Sequence, residues 1–133
     1  MTRDGLPRRA GRSHDFAMRH LLVIQPSALG DIAHALQVVS ALRAQQSGWR
    51  VSWIVRDIFA PLVRASAAVD QVYVFRRHGG VRAFWKLMRE VRQQQFDAAI
   101  DLQGLLRSGL MLKWSHARRK IGRPDAREGS RLF

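Results

Sequence analysis

The 133 residues carry 23 Lys and Arg against 10 Asp and Glu, a formal net charge of +13, with 47% hydrophobic content. That is enough chain for one domain, able to bury roughly two-thirds of its unfolded surface, and the charge balance favours polyanionic partners: nucleic acid, phosphorylated ligands or an anionic membrane face. No cysteine is present, which removes disulfides and thiolate chemistry and is compatible with the cytosol; no apolar run approaches the roughly 20 residues of a spanning helix.

Residues 1–17 are rich in Arg, Gly and Pro and lack the continuous apolar core of a secretory signal. They read as a disordered basic tail ahead of a domain over 18–133, with Met18, just before the first strand, as a candidate natural start. From His20 onward the pattern predicts βαβ units. Strand one runs from about His20 to Gln25, an aliphatic run suited to a strand buried on both faces, and ends at Pro26, which has no N–H for a sheet ladder. Small residues and Gly30, free to take backbone angles other residues avoid, lead to Asp31 as helix cap. The helix from Asp31 to Gln46 sets Ile32, Leu36, Val39 and Leu42 on one face. Strand two covers Arg50–Val55, a short helix Ile58–Ala65, and strand three Gln71–Phe75. A basic loop over residues 76–80 precedes a helix from Val81 to Gln95 carrying Val81, Trp85, Leu87, Met88 and Val91. Strand four spans Asp97–Leu102; a helix from Leu105 to Ser115 spaces Leu106, Leu110 and Trp114 by four, and residues 118–122 form a short fifth strand.

Such alternation predicts an α/β fold, a Rossmann-like parallel sheet with helices on both faces. Right-handed crossovers in the common order 3-2-1-4-5 make strands one and four neighbours, where the winding reverses and opens a crevice at their carboxyl ends. The loop holding Ser27 to Asp31 and the loop holding Gln103 to Ser108 would line it together. Asp31 is then the leading general base, able to take the proton of an attacking hydroxyl; its competing role is the helix cap, and the two are compatible. Asp101, inside an apolar strand, reads as a hydrogen-bond acceptor for its own surroundings. Gln103-Gly104 reads as a strand-end turn. Arg76, Arg77, Arg107, Arg123 and Arg127 fall in loops or near helix starts after strands, and their planar forks suit phosphate or carboxylate oxygens.

Missing motifs narrow the field. There is no G-x-x-x-x-G-K-[ST] phosphate loop, no G-x-G-x-x-G after strand one, no G-x-S-x-G elbow, and no recognition-helix or RNP-like pattern for specific nucleic-acid readout.

The stretches Leu22-Val23-Ile24-Gln25-Pro26-Ser27-Ala28-Leu29-Gly30-Asp31-Ile32-Ala33-His34-Ala35-Leu36 and Phe96-Asp97-Ala98-Ala99-Ile100-Asp101-Leu102-Gln103-Gly104-Leu105-Leu106-Arg107-Ser108, with Ala126-Arg127-Glu128 near the end, resemble glycosyltransferase family 9. The likeness is to the amino-terminal half of ADP-heptose:lipopolysaccharide heptosyltransferases, nearest the heptosyltransferase I type. It implies the amino-terminal domain of a two-domain GT-B enzyme that transfers heptose, with inversion, from ADP-heptose to the Kdo-bearing inner core of lipid A. By that resemblance Asp31 is the catalytic base, Ser27 and Gly30 shape its loop, and Arg76, Gln103, Arg107 and Arg127 contact or orient the anionic acceptor. It implies no metal and no cofactor beyond ADP-heptose as donor, and a cytoplasmic enzyme that is soluble or peripheral on the anionic inner membrane. Gln37 stands where the family commonly has proline. The donor-binding domain falls outside these residues, so the chain is expected to be a fragment that is inactive alone, since positioning both reactants is much of such catalysis. The alternative from another class is a small basic anion-binding module for nucleic acid or membrane, without catalysis; a degenerate fragment without function is the third.

Overall fold

A computed structural model of the chain describes residues 19–46 and 48–122. The tail assigned to residues 1–17, the Ala126-Arg127-Glu128 segment, and the candidate ligands Arg123 and Arg127 lie outside those residues.

Five strands form one parallel sheet: β1 (Arg19–Ile24), β2 (Trp49–Arg56), β3 (Gln71–Phe75), β4 (Phe96–Asp101) and β5 (Ala117–Ile121). Their order is β3-β2-β1-β4-β5, with every pairing parallel. This is the predicted winding. Four α-helices connect them: α1 (Leu29–Gln45), α2 (Ala60–Arg64) after a 3-10 turn at Asp57–Phe59, α3 (Gly80–Arg92) after a second such turn at Arg77–Gly79, and α4 (Leu106–Trp114).

Successive strand residues point to opposite faces, so each buried strand feeds two cores. Leu22, Ile24, Ile54, Tyr73, Phe75 and Phe96 pack with Leu87, Met88 and Val91 of α3 and Met111 and Leu112 of α4. Val23, Val51, Trp53 and Val55 pack on the other face with Ile32, Ala35 and Val39 of α1 and Ala60 and Val63 of α2. Trp53 is fully buried, and its indole N–H donates to the Gln25 carbonyl at 3.2 Å, which ties the centre of β2 to the end of β1.

Three expectations need correction. α1 begins at Leu29, two residues early, so its N-cap is Ala28, in extended backbone and without a side-chain cap; Asp31 sits inside the first turn. Gly30 is not among the positive-φ glycines, which are Gly80 and Gly104, and a Cβ at Gly30 would meet nothing within 4 Å. Its merit at that position is open space. The i, i+4 line of α4 faces outward, with Leu106 and Trp114 about two-fifths exposed, and in α3 Val81 and Trp85 are exposed as well.

At the amino edge of the sheet, His20 is buried with Nε2 2.7 Å from the Ser52 hydroxyl and its ring 4.5 Å from that of Phe96. Burial, reinforced by Arg50, holds the imidazole below its ordinary 6.5, against the opposing pull of Asp97 and Asp70. The folded protein therefore keeps this ring neutral where the unfolded chain would protonate it. Because the unfolded state then binds more protons, stability is complete above about pH 6.5 and falls as pH drops below it, by no more than about 1.4 kcal/mol per pH unit for one group. Urea titrations at pH 7.5 and 5.5 should show a stability difference that shrinks in His20→Gln; an equal difference in both proteins rules this linkage out.

Candidate active site

The site is built where β1 and β4 end side by side, with Ile24 in register with Asp101. Backbone bonds fan out from the end of β1 in both directions: Gln25 N–H donates to Ile54 O at 3.3 Å, Leu102 N–H to Ile24 O at 3.1 Å, and Arg56 N–H to Pro26 O at 3.0 Å. Pro26, lacking an N–H, still contributes its carbonyl to β2. The loop after β1 is thus clamped between its two neighbours.

Side chains then lock that loop to the one after β4. The Gln25 amide donates to Ser27 O at 2.5 Å and to Gln103 Oε1 at 2.7 Å. Gln103 Oε1 also lies 3.3 Å from the Ser27 backbone N–H, and Gln103 Nε2 donates to the Ser27 hydroxyl at 3.2 Å. Ser27 and Gln103, predicted on one crevice from separate loops, are in direct contact. The Ser27–Ala28 peptide between them and α1 is cis.

Asp101 holds the second loop in shape. Its Oδ1 accepts the N–H groups of Gln103 at 2.9 Å and Gly104 at 3.1 Å, and its Oδ2 accepts from the Ser108 hydroxyl at 3.1 Å. Ser108 Oγ in turn accepts the Leu105 N–H at 3.0 Å. A carboxylate only 2% exposed is tolerable because its oxygens are satisfied this way. Gly104, at φ 76, supplies the left-handed turn residue that brings two successive N–H groups onto one oxygen. Asp101 is a structural acceptor, as its place in an apolar strand suggested.

Beside these loops lies a cleft of about 450 Å³ lined by Pro26, Ser27, Arg56, Phe75, Arg77, Gln103, residues 105–108, Leu110 and Met111. Arg107 lies with its guanidinium carbon 5.2 Å from the centre of the Phe75 ring, a cation–π distance between two residues that line the cleft. Arg76 is placed elsewhere: it lines a separate groove with Arg64, Arg82, Lys86 and Glu90, and its guanidinium is 4.0 Å from Asp57 in an exposed pair. The next residue, Arg77, takes the position on the cleft. Gly30 and Asp31 stand on the exposed first turn of α1, just past Ser27 and outside the lining set. Arg56 and Phe75 were not singled out from sequence. For Arg56 the signal was present, an arginine closing the buried run Val51–Val55 at the carboxyl end of a strand.

What the arrangement offers is an arginine-lined concavity at a topological switch point, with the exposed Asp31 carboxylate on the helix turn that follows its Ser27 loop. Among the described residues no group of three or more His, Asp or Glu is placed to hold a metal ion, and no helix is long and apolar enough to cross a membrane. Fold and cleft together define a Rossmann-like domain with an arginine-lined cleft at the β1–β4 switch point, the place where open α/β sheets bind ligands.

Comparison with known proteins narrows the class. Residues 84–133 match the model of glycosyltransferase family 9 (heptosyltransferase). The chain is 29% identical over 121 residues to the lipopolysaccharide core heptosyltransferase OpsX of Haemophilus influenzae, an alignment that takes in 88% of this chain and 34% of that protein. It is 30% identical over 101 residues to lipopolysaccharide heptosyltransferase 1 of Escherichia coli K12, covering 69% of this chain and 32% of the relative. The structure superposes on E. coli heptosyltransferase WaaC with ADP at a TM-score of 0.74 and 25% identity, over 86% of this chain and 39% of that one; a family 9 glycosyltransferase from Veillonella parvula, at TM-score 0.71 and 16% identity over 81% of this chain and 34% of that one, shares the fold. The chain is similar over most of its length to heptosyltransferases of glycosyltransferase family 9. It spans about a third of the length of the curated relatives it matches.

Proposed function

We propose that these residues form the acceptor-binding, amino-terminal domain of a GT-B heptosyltransferase acting on the lipopolysaccharide inner core. The observation that carries the reading is the contact of the Ser27 loop with Gln103 at the β1–β4 switch point, beside a cleft holding three arginines. Kdo carboxylates and lipid A phosphates are the anions such forks hold in paired contacts. Asp31 is the base, taking the proton of the acceptor hydroxyl as it attacks the anomeric carbon of the donor heptose. Ser27 and Gly30 shape the approach, and the open space over Gly30 leaves room for a sugar beside the carboxylate. Gln103, Arg107 and Arg127 orient the acceptor, with Arg76 at an outer position. On this reading ADP-heptose is held by the carboxy-terminal domain of such an enzyme.

The same reading places the enzyme in the cytoplasm, peripheral on the anionic inner membrane. Exposed Val81, Trp85, Leu106 and Trp114 support it, with Trp85 and Trp114 stacked edge-on at 5.2 Å and Arg92 5.9 Å from the Trp114 ring centre. Aromatic rings beside cations suit a headgroup surface. Co-sedimentation of the purified chain with vesicles tests both statements. Phosphatidylcholine vesicles doped with Kdo-lipid A should retain the protein at physiological salt, undoped ones should not, and phosphatidylglycerol vesicles should retain it more weakly. Equal retention by all anionic vesicles, abolished by competing DNA, would mean a nonspecific basic module instead.

A further inference from the structure

We propose that Arg56, together with Arg77 and Arg107, forms an oxyanion pocket that sets which charged group of the acceptor the cleft takes. Arg56 is the last residue of β2, in register with Phe75 of β3, and its backbone is fixed by the bond from its N–H to Pro26 O. Its side chain leaves β2 on the same face as Ile54, towards α3 and α4, and enters the cleft beside Pro26 and Phe75.

Two observations point to a missing ligand. Arg56 Nε is one of two buried side-chain polar atoms, with the Tyr73 hydroxyl, that have no hydrogen-bond partner among the described residues. A buried N–H on a charged group without an acceptor is costly, and native structures supply a partner from protein, water or ligand. Second, the cleft holds three guanidinium groups and no free carboxylate. Among the described residues the ion pairs are Arg43–Asp70, Arg76–Asp57 and Arg118–Asp97, none of which involves Arg56, Arg77 or Arg107. The nearest acid of the site, Asp101, has its oxygens committed to Gln103, Gly104 and Ser108. Like charges gathered in a partly enclosed space repel more than in bulk water, and an entering anion relieves that repulsion.

The geometry favours an oxyanion over a bare charge. A guanidinium presents a planar fork, so Arg56, with its Nε unpaired, and Arg107, stacked over Phe75, can each engage two oxygens of one group. The first turn of α4 opens on the same space through Leu106, Arg107 and Ser108, adding the positive end of a nine-residue helix. The ligand class is a sugar bearing a carboxylate or a phosphate ester; that it is a sugar rests on the acceptor-domain reading, while the oxyanion does not.

Titration of the uniformly 15N-labelled full chain tests this through the Arg56 Nε–H resonance. Inorganic phosphate and free Kdo serve as the two anionic probes and glucose as the neutral one. The resonance should move with at least one anion and not with glucose; a response to phosphate alone assigns a phosphate ester, and one to Kdo alone a carboxylate. Arg56→Gln should raise the dissociation constant about tenfold or more, Arg56→Lys by less, and Arg89→Gln, which removes the same charge from the exposed face of α3, not at all. Circular dichroism establishes that each variant is folded, and the lysine variant carries the test should the glutamine one not be. A silent Arg56 resonance at saturating phosphate and Kdo, or equal losses in Arg56→Gln and Arg89→Gln, overturns the pocket. Anion binding that depends on Arg56 in a chain that ignores Kdo-lipid A vesicles would keep the pocket and overturn the acceptor reading. Retention on those vesicles that is unchanged by Arg56→Gln would do the reverse.

Discussion

Asp101→Ala should unfold in urea with a loss of roughly 3 kcal/mol, while Asp101→Asn should lose about 1 kcal/mol. The difference follows from which partners are stranded. In the wild type one carboxylate oxygen accepts two N–H groups, from Gln103 and Gly104, and the other accepts the Ser108 hydroxyl. Alanine removes both oxygens from a site that is 2% exposed and leaves buried donors without acceptors, a penalty of about 1–3 kcal/mol for each that water does not reach. Asparagine keeps the oxygen facing Gln103 and Gly104, and its amide can donate to Ser108 Oγ, which is able to accept. Against a total of about 5–15 kcal/mol for a folded domain, the alanine loss is large. It should also reach the site, because the turn that presents Gln103 to Ser27 is the one Asp101 holds. Exchange of the Gln103 and Gly104 amides should accelerate in Asp101→Ala well before global unfolding. A variant within about 0.5 kcal/mol of wild type, with those amides still protected, would show that the turn is held by something other than this carboxylate.

The same carboxylate shows how far the sequence could be read and where reading stopped. β1 and β3 were legible because each is a short apolar run closed by a breaker: Pro26 after β1 and the Arg76–Gly80 loop after β3, whose ends coincide with those predicted. Sheet order followed from crossover handedness, and with it the meeting of the Ser27 and Gln103 loops. Helix rotation was legible in α1, where Ile32 and Val39 are buried as expected, but not in α4. Leu106, Leu110 and Trp114 make a plausible apolar line, yet α4 turns Ser108, Met111 and Leu112 inward, because the Ser108–Asp101 bond pins one edge of the helix to the end of β4. A polar residue overrode the apolar spacing, and no periodicity count weighs that. The start of α1 was misplaced for a related reason: Asp31 has the propensity to cap, but the chain path through Ser27 is set by Gln25 and Gln103, and the helix begins where that path releases it. Between Arg76 and Arg77 the sequence offered no discrimination, since adjacent loop residues diverge according to backbone angles that only the folded loop fixes; one faces Asp57, the other the cleft.

Asp31→Asn should lower heptose transfer by about 10²–10⁴-fold with acceptor binding unchanged, once a donor-binding half is supplied. A fusion of residues 1–133 to the portion of E. coli lipopolysaccharide heptosyltransferase 1 that the alignment does not reach provides that half. The asparagine is isosteric, so it preserves the first turn of α1 and removes only the capacity to accept a proton. Asp31 is exposed and sits within that first turn rather than capping it, so its carboxylate is not held by a cap and is open to a ligand, as the proposed reading requires. A base acting in the rate-determining step gives a rate that falls at low pH as it protonates, and that acid limb should vanish in Asp31→Asn. Removal of an acceptor contact, by contrast, would raise KM with kcat retained. A fusion whose wild-type form transfers heptose and whose Asp31→Asn form matches it in kcat and pH profile would leave Asp31 as a first-turn aspartate and move the search for the base elsewhere along the cleft rim.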